Sequence, residues 1–272
     1  MRKVVLFWVL ACAGATGPTL AQEAPPKPTW PERGSFLRPA HVTFPKGFRT
    51  RRIFIDAGHG GSGNAGASSV LCEHEADFTL RVAARLAAYL RKSGHFVVKE
   101  SRRPGELVSN RERIDAADRF RADALVSIHF DVRGEATAWE PPGLGMPCMR
   151  NDTAPGFAVL FSDEGTDDAV APRRELARAL TRELTRAGFL AFLGEDHLGL
   201  YAADAEVGAW VDRHASNQRV MLLRRPKVPS VIIETHHSLD FQEAARWHET
   251  RTLDVFESAV EAALVERFHP SR

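Results

Sequence analysis

The feature that most constrains this chain is a short apolar segment that runs directly into glycines. Residues 53–55 (Ile-Phe-Ile) are β-branched or aromatic and lack helical spacing, which is typical of a strand buried on both faces. The following run, residues 58–61 (Gly-His-Gly-Gly), cannot continue a strand interior and holds a single histidine, His59. Ligands of open α/β sheets bind at the carboxyl ends of strands, so His59 is a candidate site residue. A lone histidine in a turn more often has no chemical role, so the interpretation needs partners elsewhere in the chain.

Composition and charge narrow the class of protein. The chain has 272 residues, of which 44% are hydrophobic and 26% charged, and this is enough for one sizeable globular core. The formal net charge of +1 gives no electrostatic case for a nucleic-acid partner.

The first 21 residues have the pattern of a secretory signal peptide. A basic start at residues 1–3 precedes an apolar run, residues 4–15, that is too short to span a bilayer. Small residues at Thr19 and Ala21 then fit a cleavage site. We therefore expect export to the periplasm or out of the cell, with no membrane span after cleavage. A lipoprotein anchored at Cys12 is the less favoured alternative, because Leu10 is bulky for that signal.

Residues 22–50 contain six prolines and little periodicity, which predicts an extended tether or a loosely docked arm. The folded domain is expected over residues 51–270. Removal of the leader leaves two cysteines, Cys72 and Cys148, and export to an oxidising compartment makes a disulfide between them our hypothesis.

The order of predicted elements in this domain is β-α-β-α-β, followed by further strands and helices. Strands are expected at residues 53–55, 95–100, 124–128, 157–161, 218–223 and 230–234, and helices at 75–92, 110–120, 241–247 and 253–268. Pro172 is expected to open one more helix, which Gly188 closes. Residues 133–154 form an insertion, and residues 189–217 read as a long irregular stretch. The prediction is α/β: a single domain with a mostly parallel central sheet flanked by helices.

Four polar residues follow strands or begin a helix in this scheme. His59 comes after the first strand, His129 and Glu234 stand at the ends of the third and the last, and Glu75 opens the first helix. Each has an ordinary structural explanation when it is taken alone, such as a helix-dipole carboxylate for Glu75. Parallel strands, however, bring their carboxyl ends to one edge of the sheet. Two histidines and a carboxylate are a common catalytic zinc set that leaves a fourth position open.

These residues lie in four ordered motifs with sensible intervals. The motifs are I-x-I-D-x-G-H-G-G at residues 53–61, Glu75 five residues before Leu80, S-I-H at 127–129 and P-x-V-x-x-E-T at 229–235. Over roughly residues 52–268 the chain resembles the zinc-dependent N-acetylmuramoyl-L-alanine amidases of bacterial cell-wall remodelling. Ser101-Arg102 and Arg113 also fit positions of that family.

The resemblance implies specific roles. His59, Glu75 and His129 would be the ligands of a Zn²⁺ cofactor, and Glu234 the catalytic carboxylate. The implied reaction is hydrolysis of the amide bond between N-acetylmuramic acid and L-alanine in peptidoglycan. Peptidoglycan or a muropeptide is then the substrate, and a protein activator is a further partner that the family pattern allows. The family fold, a single α/β domain, agrees with the order of elements above.

Two departures from the family pattern and three alternatives remain open at this point. His236 and His237 stand where the family has glycine and phenylalanine, and they are expected to be solvated or core histidines, with a groove or metal contact as the other option. The insertion and the stretch at 189–217 have no explanation in the motifs. The alternatives are a dinucleotide site at the G-x-G-x-x-G of residues 61–66, a non-catalytic wall-binding protein, and a zinc peptidase that cuts within the stem peptide.

Overall fold

A computed structural model of the chain describes residues 36–61, 63–194 and 199–269. The predicted signal peptide and the first part of the predicted tether lie outside these ranges. Within them, no helix combines the length and the apolar character that a bilayer crossing requires.

The described residues form nine strands and six helices. They are β1 (Arg51–Ala57), α1 (Glu75–Lys92), β2 (Phe96–Glu100), α2 (Asn110–Phe120), β3 (Ala124–Asp131), β4 (Thr137–Trp139), β5 (Cys148–Arg150), β6 (Ala158–Phe161), α3 (Asp167–Arg186), β7 (Tyr201–Ala203), β8 (Ala209–Asp212), α4 (Met221–Arg224), β9 (Ser230–His237), α5 (Phe241–Arg246) and α6 (Thr250–Phe268).

Seven strands form one sheet, in the order β2-β1-β3-β9-β6-β8-β7. The first four strands of that order run parallel, and β6 turns antiparallel to β9. Strand β8 runs parallel to β6, and the edge strand β7 is antiparallel to β8. The predicted α/β class, with one domain and a mostly parallel sheet flanked by helices, is confirmed.

Apolar side chains are buried on both faces of this sheet. Ile53 and Ile55 pack with residues of α1, α3 and α6, whereas Phe54 packs on the opposite face with residues of α2 and α4. All three side chains have no exposed surface. The first strand is therefore buried on both faces, as its uninterrupted apolar run predicts.

Three local predictions were wrong. Helix α3 begins at Asp167, so Pro172 is its sixth residue and does not open it. Two aspartates in the first turn favour the earlier start, because they face the positive end of the helix dipole. Residues 218–223 are not a strand, since helix α4 occupies Met221–Arg224. The stretch at 189–217 is not wholly irregular, because it contains β7 and β8.

Residues 36–50 contain no helix or strand and lie against the domain. Leu37 is buried in the main core, and the backbone N–H of Arg38 donates to the carbonyl oxygen of Ala187 at 2.9 Å. The ring of Phe44 stacks on His95 with centroids 3.8 Å apart. These contacts attach the described end of the proline-rich segment to the folded core.

The predicted disulfide between Cys72 and Cys148 is present, with the two Cα atoms 5.5 Å apart. It links strand β5, in the β4–β5 hairpin of the insertion, to the loop that precedes α1. The bond crosses a sequence separation of 76 residues and ends three residues before Glu75.

Candidate active site

Strands β1, β3 and β9 are neighbours, and their carboxyl ends meet at one edge of the sheet. His59 follows β1 by two residues, and His129 and Glu234 lie directly opposite each other on β3 and β9. Glu75 is the first residue of α1. The parallel order therefore brings all four predicted residues to the same edge.

Two arginines fix the backbone that carries His59. Arg113 donates to the carboxylate of Asp56 and to the carbonyl oxygens of Ala57 and His59. Arg102 donates to the carbonyl oxygen of Ala57 at 2.9 Å and to that of Gly58 at 3.0 Å. These hydrogen bonds satisfy backbone carbonyls at the site and hold the turn in one conformation.

Asp56 and Arg113 form an ion pair that is almost completely buried. Burial alone would raise the pKa of Asp56, but the Arg113 guanidinium and the hydroxyls of Ser101 and Ser127 lower it below the usual value. Asp56 therefore remains ionised, and its charge keeps Arg113 directed at the turn.

The backbone at the site shows two signs of constraint. His59 has a φ of 58°, in the left-handed region that residues with a side chain seldom adopt. A Cβ atom at Gly58 would overlap the imidazole ring of His129, so glycine is needed there for the two strand ends to approach. Such constraints cluster where function requires a particular geometry.

His59, Glu75 and His129 each present one ligand atom, and these atoms all lie within 4.8 Å of one another. One Glu75 oxygen lies 3.1 Å from Nε2 of His59, and the other lies 2.8 Å from Nδ1 of His129. Nδ1 of His59 is 3.0 Å from the side-chain oxygen of Asn64, which orients the ring. The donor set of two imidazoles and one carboxylate fits zinc and leaves a fourth position for water or substrate.

The charges within this cluster support one another. Burial raises the pKa of Glu75, but hydrogen bonds with His129 and His59 outweigh burial and bring the pKa well below its usual value. Burial lowers the pKa of each histidine, and the hydrogen bond and charge of Glu75 reverse this, so both values are raised. Histidine binds a metal in its neutral form, so a cation that enters this cluster would displace the protons that Glu75 attracts to the two imidazoles.

Glu234 lies beside the cluster and differs from Glu75. Its Oε2 atom is buried and has no hydrogen-bond partner among the described residues. Burial raises the pKa of Glu234 to about 8, and the charges of Asp131 and Glu75 add to this effect while that of His129 opposes it. A carboxyl group with such a pKa can take up and release a proton near neutral pH.

A β-bulge separates Glu234 from the two histidines that follow it. His129 pairs with Glu234 but Asp131 pairs with His237, so β9 carries one extra residue at this point. His236 consequently lies on the other face of the sheet, where its ring stacks on Trp247 at 5.4 Å. His237 accepts a hydrogen bond from the backbone N–H of Arg133 at 3.2 Å. Both are core histidines, and neither belongs to the ligand cluster.

The sequence analysis did not identify the residues that flank Glu234 on the side away from the cluster of His59, Glu75 and His129. A small cavity there is lined by Asp131, Ala158, Leu160, Phe192, Leu200, Tyr201, Trp210 and Glu234. Half of these residues belong to β7, β8 and the chain that precedes β7. The one signal in the sequence was the length of the stretch at 189–217, which is typical of a functional or mobile segment but does not indicate which side chains matter.

Comparison with known proteins defines the family. The family model described as N-acetylmuramoyl-L-alanine amidase, Amidase_3, matches residues 53–265. This match covers most of the chain, and the chain belongs to that family.

Individual relatives agree with this assignment. The chain is 29% identical to the probable N-acetylmuramoyl-L-alanine amidase AmiB of Haemophilus influenzae over 201 residues, 67% of this chain and 44% of the relative. It is 30% identical to the amidase AmiC of Escherichia coli over 142 residues, 52% of this chain and 31% of the relative. The chain thus spans less than half the length of these curated relatives.

Solved structures show the same fold. The N-acetylmuramoyl-L-alanine amidase from Clostridium difficile 630 superimposes with a TM-score of 0.61 at 22% identity, over 82% of this chain and 100% of that chain. The CwlD amidase from Clostridioides difficile, in complex with the GerS lipoprotein, gives a TM-score of 0.53 at 18% identity, over 80% and 98% of the two chains.

The dinucleotide alternative finds no support in the local structure. The glycines at 61–66 lie in a loop, and the next helix begins only at Glu75. A pyrophosphate site of that kind requires the helix N-terminus to follow the glycines directly.

Proposed function

We propose that this chain is a zinc-dependent hydrolase that cleaves the amide bond between the lactyl group of N-acetylmuramic acid and the L-alanine of the stem peptide in peptidoglycan. The observation that carries the proposal is the convergence of His59, Glu75 and His129, with Glu234 beside them, in a member of the amidase family. In this proposal the first three residues hold Zn²⁺ and Glu234 acts on protons.

The different roles of the three metal ligands and of Glu234 follow from their different surroundings. Zinc, when bound, supplies a Lewis acid that makes water a nucleophile at neutral pH and polarises the scissile carbonyl. One carboxylate oxygen of Glu234 has no hydrogen-bond partner among the described residues, so it is open to accept the proton of the attacking water. It then returns that proton to the departing nitrogen of L-alanine, which leaves as an amine.

The turn after β1 holds His59 in position. Arg113 and Arg102 hold the backbone carbonyls on either side of His59, so the imidazole keeps its place relative to Glu75. Fixed ligands retain the open fourth position, because a ring that rotates would close or distort it.

The proposal extends to export and partners. The Cys72–Cys148 disulfide supports an exported protein that works in the periplasm or outside the cell, because such bonds persist in oxidising compartments. The substrate is peptidoglycan or a soluble muropeptide. A protein activator is a further proposal, and it is supported by one structural neighbour, the CwlD amidase from Clostridioides difficile, which is in complex with the GerS lipoprotein.

Product analysis tests this function. Purified protein loaded with zinc is incubated with purified peptidoglycan, and the soluble products are identified by mass spectrometry. We expect intact stem peptides with a free L-alanine amino terminus, and glycan that retains the lactyl carboxylate. New amino termini within the stem peptide would instead identify a peptidase, and an absence of soluble products would indicate a non-catalytic wall-binding protein.

A further inference from the structure

The loop that precedes α1, residues 65–74, lies directly against two of the proposed metal ligands. The backbone N–H of Ala67 donates at 3.1 Å to Oε2 of Glu75, the oxygen that also lies 3.1 Å from Nε2 of His59. A Cβ atom at Gly66 would lie 2.7 Å from the same Glu75 oxygen and 2.8 Å from the His59 ring. The loop backbone therefore packs on both ligands at once, and its displacement would move the Glu75 carboxylate.

Two backbone hydrogen bonds join the first part of this loop to α1. The N–H of Glu75 donates to the carbonyl oxygen of Ala67 at 2.9 Å. The N–H of Ala76 donates to the carbonyl oxygen of Ala65, also at 2.9 Å. These bonds join neighbouring parts of the chain, so they do not fix the loop relative to the strand that carries His129.

The second part of the loop is held by the insertion. Val70 has no exposed surface, and its carbonyl oxygen accepts a hydrogen bond at 2.8 Å from the indole N–H of Trp139. Cys72 is joined to Cys148 by the disulfide. Trp139 and Cys148 lie directly opposite each other on β4 and β5. One cross-strand pair of the hairpin therefore makes both contacts with the loop.

The hairpin is itself fixed to the chain that follows β9, the strand of the proposed catalytic carboxylate. The N–H of Asn151 donates to the carbonyl oxygen of Leu239 at 3.0 Å. The N–H of Phe241 donates to the carboxylate of Asp152, also at 3.0 Å. The rings of Trp139 and Phe241 meet edge to face with centroids 5.2 Å apart. The hairpin thus connects the end of β9 to the loop in front of α1.

Val70 is the point at which these connections meet. Its N–H donates at 2.8 Å to the carbonyl oxygen of Ser238, the residue after β9, while its own carbonyl oxygen accepts from Trp139. Loss of the indole donor would leave that buried carbonyl without this partner, and an unpaired buried polar group is destabilising. The loop would then shift to satisfy the carbonyl, and the Glu75 carboxylate would shift with it.

We propose that the insertion hairpin, residues 137–150, positions Glu75 as a metal ligand, and that Trp139, Cys72 and Cys148 are positioning residues that set the affinity of the site for zinc. The proposal rests on the proposed function, because it takes the ligand cluster as a zinc site, and it adds a role for the insertion. A carboxylate that is already held in place loses less conformational freedom when the ion binds.

The zinc affinity of the metal-free protein tests the proposal without relying on activity, and competition with a chromogenic chelator of known affinity measures it. Trp139→Phe removes the indole donor and keeps an aromatic ring beside Phe241. Joint replacement of Cys72 and Cys148 by serine removes the bond without leaving thiolates that would themselves bind zinc. Each change should raise the dissociation constant for zinc by about tenfold, the low end of the effect of groups that orient metal ligands.

Two controls separate positioning from general stability. Met149 is next to Cys148 but pairs with Ala138 and is 46% exposed, so Met149→Ala changes the hairpin and leaves both loop contacts in place. Leu180 is buried in the core on α3, which carries none of the four site residues, so Leu180→Ala should lower the melting temperature. Neither control should change the dissociation constant. Circular dichroism identifies a temperature at which each variant is folded, and the titrations are made there.

The outcomes separate this proposal from the proposed function. An unchanged dissociation constant in Trp139→Phe or in the double serine variant would overturn the positioning role, and Trp139→Phe decides alone if the double variant does not fold. A rise in Leu180→Ala equal to that in Trp139→Phe would also overturn it, because affinity would then follow stability. A wild-type protein that binds no zinc would overturn the proposed function and this proposal with it. Zinc binding and release of intact stem peptides by the wild type, with unchanged affinity in the variants, would overturn this proposal alone.

Discussion

Glu234 lies directly opposite His129 on the neighbouring parallel strand, with one carboxylate oxygen buried and without a hydrogen-bond partner among the described residues. Stability alone would not favour this arrangement, because a buried carboxylate without a partner is destabilising. The cost is understandable if the carboxyl group must stay free to exchange a proton beside a bound metal. The relationship therefore links the register of two strands to the chemistry of the site.

The first prediction concerns pH and the metal-free protein. The pKa of Glu234 is raised in the folded protein to about 8, so the folded state binds more protons than the unfolded state between about pH 4.5 and pH 8. Glu234 should therefore lower the free energy of unfolding progressively as pH rises through that window. Glu234→Gln removes this dependence, because an amide does not titrate in this range.

Thermal unfolding of metal-free wild-type protein and of Glu234→Gln, followed between pH 4.5 and pH 9, measures the effect. The melting temperature of the variant minus that of the wild type should increase as pH rises and become constant above about pH 8. A difference that stays constant across the range would show that Glu234 titrates at its ordinary value.

The second prediction concerns the buried ion pair behind His59. Asp56→Asn leaves the Arg113 guanidinium buried without its counter-charge, and we expect a loss of about 3–5 kcal/mol in the free energy of unfolding. Zinc should also bind more weakly, because Arg113 holds the carbonyl of His59. Urea unfolding and zinc titration measure the two effects.

The matched control for that change is Asp254→Asn. Asp254 pairs with Arg85 at 2.8 Å, but its side chain is 56% exposed. An exposed pair contributes about 1 kcal/mol or less, so this variant should unfold almost as the wild type does and bind zinc normally. Equal losses for the two variants would refute a special role for the buried pair.

The third prediction concerns the disulfide. Replacement of both Cys72 and Cys148 by serine should cost about 2–5 kcal/mol in the free energy of unfolding, because the bond closes a long loop in the unfolded chain. Reduction of the wild-type protein should lower the melting temperature to that of the double variant. A reduced wild-type protein as stable as the oxidised one would contradict this prediction.

Much of the architecture could be predicted from the sequence, and the reasons are local. Three features can each be recognised from residues that are close together in the chain. They are the apolar run at 53–55, the four-residue spacing of apolar side chains in α1 and the glycine that follows this helix. The four site residues could be placed at one edge because parallel strands share the direction of their carboxyl ends. The metal roles of three of them and the role of Glu234 came from the family resemblance and remain predictions.

The remaining features depend on contacts between distant segments. The β-bulge that moves His236 to the other face arises between β3 and β9, more than 100 residues apart. Strands β7 and β8 are only three and four residues long and extend the far side of the sheet, so their short segments show no clear periodicity. The cavity beside Glu234 is formed by several such segments, and no single stretch of sequence indicates it.

The most direct test of the central claim is the zinc content of Glu234→Gln, measured together with its rate of muropeptide cleavage, beside the same measurements on His59→Ala. We predict that Glu234→Gln binds one zinc per chain and loses roughly two to four orders of magnitude in rate, the usual scale for a residue that transfers protons. His59→Ala should lose both the metal and the activity. Glu234→Gln with wild-type activity, or His59→Ala with zinc still tightly bound, would contradict the account.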